Sequence, residues 1–225
     1  MYKALFFDID DTIFDFEKCS LAAFKESFKI CNLHYSRSIH ELYREISKDL
    51  WKKQKSGEIS VQDVLNSRFK ILFEKLNIDF SYYSFQKVFE KNLGQEYITE
   101  PNASQVIGTL SKKYKIYAAS NGILEMQINR LKHANLLDYF TDLFVSDDIG
   151  YDKPSNSFFK ECLKRSKLKP EEILFIGDSL QADILGAKNN NIDTCWYNIN
   201  EYEKPKDLKV NYIIRNLIEL NKILL

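Results

Sequence analysis

The chain has 225 residues, and its 32 basic residues balance its 32 acidic ones, which gives a formal net charge of +0. This composition predicts no basic surface for nucleic acid. A hydrophobic content of 44% is enough for a sizeable core, in one domain with a large insertion or in two small domains. We find neither a membrane-length apolar stretch nor a secretory signal pattern, and the cysteines lack Cys-x-x-Cys spacing. We therefore expect a cytoplasmic protein without a membrane partner.

Three aspartates cluster after the first apolar run. Residues Ala4–Phe7 are short in extent and rich in aromatics, as is typical of a buried parallel strand. Asp8, Asp10 and Asp11 follow directly. Carboxylates this close repel one another, so such a cluster at a strand end usually holds a cation. The simpler interpretation is a solvated acidic turn.

The stretch after this cluster shows only helical periodicity. Four helices are predicted in it: one from Phe16, one after a capping box of Ser38 and Glu41, one after Ser60, and one over residues 81–93. We therefore expect a helical domain over residues 15–95, inserted after the first strand.

Strands and helices alternate in the rest of the chain. Strands are predicted at Ile116–Ser120, Leu143–Ser146, Ile173–Gly177, Thr194–Tyr197 and Tyr212–Ile214. Helices are predicted at residues 123–134, 155–166 and 180–190 and near the C-terminus. This alternation predicts an α/β fold with a doubly wound, Rossmann-like parallel sheet, formed by residues 1–14 and 96–225.

Polar motifs stand at several of these boundaries. They are Ser120-Asn121-Gly122, Lys153-Pro154, and Gly177-Asp178-Ser179 with Asp183 following. Together with the Asp8 motif, and in this order and spacing, they resemble the four motifs of the haloacid dehalogenase (HAD) superfamily of phosphatases. The resemblance extends over essentially the whole chain.

The resemblance implies a mechanism. Asp8 matches the nucleophile that forms an aspartyl-phosphate, and Asp10 matches the general acid and base. Mg²⁺ is the implied cofactor, with Asp8, Asp178 and the backbone carbonyl of Asp10 as ligands. Asp183 is expected to contact the metal ligands rather than the metal, although it could be an exposed helix residue.

The phosphate group is expected to contact several residues of these motifs. Lys153 supplies a positive charge. Ser120 and the backbone N–H groups around Asn121 and Gly122 are expected to hold the phosphoryl oxygens, and Thr12 helps in the superfamily. Alternatively, Ser120 caps a helix, Lys153 is a solvated charge, and Thr12 bonds only within its own turn.

A narrower resemblance concerns the helical insertion. Residues 50–60 and the segment Ser67-Arg68-Phe69 look like the cap of the bacterial HAD-type pyrimidine 5′-nucleotidases. The implied substrate is a nucleoside monophosphate, and Trp51 and Arg68 are the candidates for substrate specificity. For Trp51 taken by itself, a packing role is the favoured interpretation.

Other functions remain open. A sugar-phosphate phosphatase or phosphomutase would share all four motifs. A dehalogenase would need neither the acid at Asp10 nor magnesium. A non-enzymatic phospho-accepting receiver domain would have no use for an insertion of domain size. The oligomeric state is left open.

Overall fold

The computed structural model describes residues 2–225, which form two compact units. One unit runs to Phe16, resumes at Ile98 and continues to Leu225. The other is Glu17–Tyr97. The boundaries predicted from the sequence, 14/15 and 95/96, lie close to these positions.

The first unit is built on a parallel sheet. Its strands are β1 (Ala4–Phe7), β2 (Lys115–Ser120), β3 (Phe140–Val145), β4 (Ile173–Gly177), β5 (Asp193–Tyr197) and β6 (Tyr212–Ile214). They pair in the order β3-β2-β1-β4-β5-β6, and every pair is parallel. This confirms the predicted fold class. The side chains of β1 and β4 are buried along their whole length, which explains why these segments read as continuous apolar runs.

The second unit is helical. Its helices are α1 (Phe16–Ile30), which begins at the boundary, α2 (Arg37–Lys55), α3 (Val61–Leu76) and α4 (Tyr82–Leu93). Their aromatic stripes meet in one core, in which the rings of Tyr43 and Phe69 stack with centroids 5.3 Å apart. Phe85 and Phe89 contact Phe69 edge-on at 5.0 Å each. The helical periodicity of this segment therefore reflects a core of its own.

The helices of the first unit follow its strands. They are α5 (Ala103–Leu110), α6 (Leu124–His133), α7 (Ser146–Ile149), α8 (Asn156–Ser166), a π-helical turn (Leu180–Leu185) that continues as α9 (Gly186–Asn189), and α10 (Glu219–Leu224). Short 3-10 turns lie at Leu137–Tyr139 and Pro170–Glu172. The sequence did not predict α5 or α7. It also began β3 too late, because this strand is at the sheet edge and its first residues are not buried. Within residues 2–225, no helix combines the length and apolar character that crossing a membrane requires.

Serine side chains cap three helices of the second unit, α2, α3 and α4, and the sequence analysis assigned the cap of α2 to the wrong residue. The capping box of Ser60 is present, with Asp63 in the place of Glu: Ser60 Oγ accepts from the backbone of Asp63, whose carboxylate accepts from that of Ser60. Helix α2, however, is capped by Ser36, whose Oγ accepts from Ile39 N at 3.3 Å. Ser38 lies inside the first turn, so the predicted box with Glu41 is wrong. Ser36, two residues before Ser38, already accepts from the N–H of Ile39, which has no partner within the helix.

We expect Ser36→Ala to lower the free energy of unfolding by about 1 kcal/mol, because it removes the cap of α2. Ser38→Ala is the matched control: Ser38 is exposed and its Oγ bonds the Ser36 hydroxyl at 2.9 Å but caps no N–H, so its loss should change the free energy of unfolding by less than about 0.5 kcal/mol. Urea titration, monitored by circular dichroism, measures the free energy of unfolding of both variants. A larger loss in Ser38→Ala would contradict the assignment of the cap.

Candidate active site at the carboxyl edge of the sheet

A buried lysine connects the polar residues at the strand ends. Lys153 Nζ donates to Asp8 Oδ1 at 2.6 Å, to Asp183 Oδ1 at 2.7 Å and to the carbonyl of Ala119 at 2.6 Å. The side chain of Lys153 is 2% exposed. An ammonium group has three protons, so this geometry uses all of its donors. Lys153 therefore joins the end of β1, the end of β2 and the π-helical turn.

Burial and charge act in opposite directions on this group of residues. The pKa of Asp8 is raised to about 7, chiefly by burial; the charge of Lys153 lowers this pKa, and the nearby charge of Asp183 raises it. Burial by itself would lower the pKa of Lys153, but the carboxylates of Asp183 and Asp8 outweigh it and the pKa is raised. Lys153 therefore stays charged at neutral pH, and a cation bound at Asp8 would favour the ionised carboxylate.

Three carboxylates are close enough to share a metal ion. Oxygens of Asp8, Asp178 and Asp183 lie within 4.8 Å of one another. Asp183 reaches this place because β4 ends in a glycine: a Cβ on Gly177 would overlap the Asp183 carboxylate. The other oxygen of Asp183 accepts from Ser179 N at 3.0 Å. Asp183 is buried, so the alternative of an exposed helix residue is wrong.

The loop after β2 is held by side chains on both sides. Asn121 Nδ2 donates to the carbonyl of Lys153, and the N–H of Lys153 donates to Asn121 Oδ1, both at 2.8 Å. The side chain of Asn121 therefore fixes the backbone of Lys153. Gly122 N donates to Ser146 Oγ at 3.0 Å. The N–H of Gly122 is therefore bound within the protein, and the phosphate contact of the N–H groups around Asn121 and Gly122 stays a prediction.

Two hydroxyl groups lie at the same edge. Thr12 is fully buried, and its Oγ1 has no hydrogen-bond partner among residues 2–225. The expectation that Thr12 bonds within its own turn is therefore wrong. Ser120 is 1% exposed, and its Oγ accepts from Gln127 Nε2 at 3.1 Å. Ser120 is the last residue of β2 rather than the cap of α6, whose first N–H is bound by the carboxylate of Asp147.

Asp10 has a different environment from Asp8. Its side chain is 24% exposed, and both of its oxygens are held from α6. Gln127 Nε2 donates to Asp10 Oδ2 at 2.8 Å, and Arg130 Nη1 donates to Oδ1. Sequence analysis missed both residues. The signal was the buried face of α6, where Gln127, Arg130 and Leu131 recur at helical spacing.

The family assignment follows from comparison with known proteins. The family model for haloacid dehalogenase-like hydrolases matches residues 2–191. The chain belongs to this family. This confirms the family indicated by the motifs, identifies the chain as a hydrolase, and makes the receiver-domain alternative wrong.

Three bacterial relatives match this HAD-like hydrolase over nearly its whole length. The HAD-hydrolase YfnB of Bacillus subtilis is 31% identical, covering 99% of this chain and 95% of that protein. The pyrimidine 5′-nucleotidase PynA of Streptococcus pneumoniae is 31% identical, covering 97% and 93%. The pyrimidine 5′-nucleotidase YjjG of Escherichia coli is 27% identical, covering 98% and 96%.

Two further matches are a crystal structure of one of these relatives and a relative that is named for a different substrate. The crystal structure of YfnB, bound to magnesium, covers 99% of this chain and 98% of its own, with a TM-score of 0.92. A glyceraldehyde 3-phosphate phosphatase from Pyrococcus furiosus is 28% identical, covering 99% of this chain and 92% of that protein.

The candidate specificity residues both lie in the helical unit. Trp51 is half-buried on α2. Arg68 is 3% exposed on α3, and its guanidinium carbon lies 5.1 Å from the ring centroids of both Phe69 and Phe89. Arg68 Nε is buried and has no hydrogen-bond partner among the described residues. Because a buried donor without a hydrogen-bond partner is costly, Arg68 is the stronger candidate for a contact with a ligand.

We expect Lys153→Met to lower the free energy of unfolding by about 3–5 kcal/mol, because it leaves Asp8 and Asp183 as buried anions without a cation. Without Lys153, the pKa of Asp8 would be raised further in the folded state, so the folded state would bind more protons and stability would recover as pH falls. Thermal melting at pH 5.5 and 7.5 measures this. Lys160→Met, at an exposed position of α8, is the control. Equal melting temperatures of the two variants at pH 7.5 would contradict the assignment.

Proposed function

We propose that this HAD-like hydrolase is a magnesium-dependent phosphomonoester hydrolase that acts through an aspartyl-phosphate on Asp8, with pyrimidine nucleoside monophosphates as its preferred substrates. The observation that carries the proposal is the buried contact of Lys153 with Asp8 and Asp183, beside Asp178. This arrangement combines an anionic nucleophile with the positive charge that an incoming phosphate requires.

Each residue of the edge has a task in this reaction. Lys153 holds Asp8 Oδ1, which orients the carboxylate and reduces its repulsion of the phosphate. The buried hydroxyl of Thr12 and that of Ser120 are the donors for the phosphoryl oxygens. Asp10 gives a proton to the leaving alkoxide and then accepts one from the water that hydrolyses the aspartyl-phosphate. Its partial exposure gives it access to both.

The donor set suits magnesium. Mg²⁺ prefers oxygen ligands, few of them carboxylates, and keeps several waters. Asp8 and Asp178 would hold the ion together with the backbone carbonyl of Asp10, and Asp183 would act by orienting Lys153. When bound, the ion supplies positive charge that stabilises the charge developing on the phosphate oxygens.

Removal of divalent metal should abolish phosphatase activity, and added Mg²⁺ should restore it. Asp178→Asn should raise the magnesium concentration needed for half-maximal activity by about 10-fold or more, because it removes a charged ligand. Asp142→Asn, at an exposed position of β3, should leave this concentration unchanged. Full activity after treatment with a chelator would refute the metal assignment.

The preference for nucleotides rests on the relatives and on the helical unit. Two relatives that match over nearly the whole chain are pyrimidine 5′-nucleotidases. The phosphate-binding residues contact a group that all phosphate esters share, so discrimination must come from other residues. Arg68 offers buried donors between aromatic rings, and the carbonyl oxygens of a pyrimidine base are suitable acceptors. Trp51 offers a partly exposed ring for stacking.

Uridine and thymidine monophosphates should show higher kcat/KM values than hexose phosphates. Arg68→Gln should lower kcat/KM for uridine monophosphate about 10-fold, as expected for a lost buried partner, and lower that for p-nitrophenyl phosphate much less. Arg37→Gln is the control, since Arg37 is an exposed arginine of the same unit. If hexose phosphates exceed every nucleoside monophosphate, the nucleotide assignment is refuted and the phosphatase assignment stands.

A sugar-phosphate phosphatase is the second candidate function. The relative from Pyrococcus furiosus, a glyceraldehyde 3-phosphate phosphatase, supports it. Glyceraldehyde 3-phosphate therefore belongs in the same screen. It carries no flat base, so Arg68→Gln should leave its kcat/KM unchanged if this compound is the substrate.

A further inference from the structure

Helix α6 buries two long polar side chains on one face. Gln127 and Arg130 are both 0% exposed, and they lie one helical turn apart. Burying a guanidinium group is costly unless a carboxylate and hydrogen bonds compensate for it. A buried pair of this kind therefore indicates that acceptors for its hydrogen bonds lie close by.

The partner of both side chains is the carboxylate of Asp10. Gln127 binds one oxygen and Arg130 the other, so the plane of the carboxylate is fixed from two directions. Arg130 Nη1 also donates to Gln127 Oε1 at 3.0 Å. The guanidinium carbon lies 4.5 Å from the ring centroid of Phe14. Arg130 is thus itself held in place by a ring and by its neighbour on the helix.

Gln127 makes one contact more. Its Nε2 lies 2.8 Å from Asp10 Oδ2 and 3.1 Å from Ser120 Oγ. The same amide group therefore connects the carboxylate that exchanges protons with the hydroxyl at the end of β2. One buried side chain of α6 therefore bridges these two groups.

We propose that Gln127 and Arg130 are positioning residues, which hold Asp10 in the orientation for proton transfer and keep it at a fixed distance from Ser120. The inference rests on the proposed function, because it assigns the pair to the acid and base of that reaction. Proton transfer needs close and aligned groups, and a partly exposed aspartate without these contacts would rotate among several conformers. Neither residue needs to touch the substrate.

A double-mutant cycle with Asp10→Asn tests this proposal. Arg130→Lys keeps the charge but loses the planar fork, and Gln127→Met keeps the size but loses the amide. Each should lower kcat for uridine monophosphate by up to about 100-fold, the effect of a misplacement of roughly 1 Å. KM should change less than about 3-fold, because the positive charge of Lys153 and the proposed phosphate contact of Thr12 remain. Lys132→Gln, at an exposed position of the same helix, is the control.

The cycle separates positioning from a merely structural role. In the Asp10→Asn background, Arg130→Lys and Gln127→Met should cause little further loss of kcat, because there is no acid left to position. Losses that multiply with that of Asp10→Asn would overturn the proposal.

If circular dichroism shows that Arg130→Lys does not fold, Gln127→Met decides in the same way. A wild-type protein that hydrolyses no phosphate ester would refute the proposed function, and the inference with it. An active wild type with multiplicative losses would refute the inference alone.

Discussion

The ammonium group of Lys153 is the contact on which the arrangement of the strand ends depends. It donates to acceptors from three segments that are far apart in sequence, and it lies between two buried carboxylates, those of Asp8 and Asp183. One positive charge between two negative ones leaves a net negative group, which is also what attracts a divalent cation. The same contact therefore leaves a net negative charge beside Asp178, at the proposed metal site.

Close packing of the backbone makes this contact possible. Gly177 ends β4 without a Cβ, and the Asp183 carboxylate occupies the space that a Cβ would take. Asn121 binds the backbone of Lys153 through both its amide nitrogen and its oxygen. These two residues contribute no charge. They fix the positions from which charged side chains reach one another, and this precision is what a catalytic arrangement requires.

Asp8 and Asp10 show how two neighbouring carboxylates acquire different tasks. Asp8 is buried and held by the ammonium group of Lys153, whereas Asp10 is partly exposed and held by Gln127 and Arg130. Both residues follow β1 closely, but their side chains have different partners and a different degree of exposure. Environment, rather than residue type, then distinguishes the proposed nucleophile from the proposed acid and base.

The sequence by itself determined the fold class and the places of the strand-end motifs, because apolar periodicity and turn residues are local signals. It thereby placed Asp8, Ser120 and Asp178 at the edge of one sheet. Only the tertiary structure decided which side chains meet. Lys153 and Asp8 are 145 residues apart, and Arg130 and Asp10 are 120 apart. No local pattern encodes contacts across such separations, since they depend on the order of the strands and on the face that each helix buries.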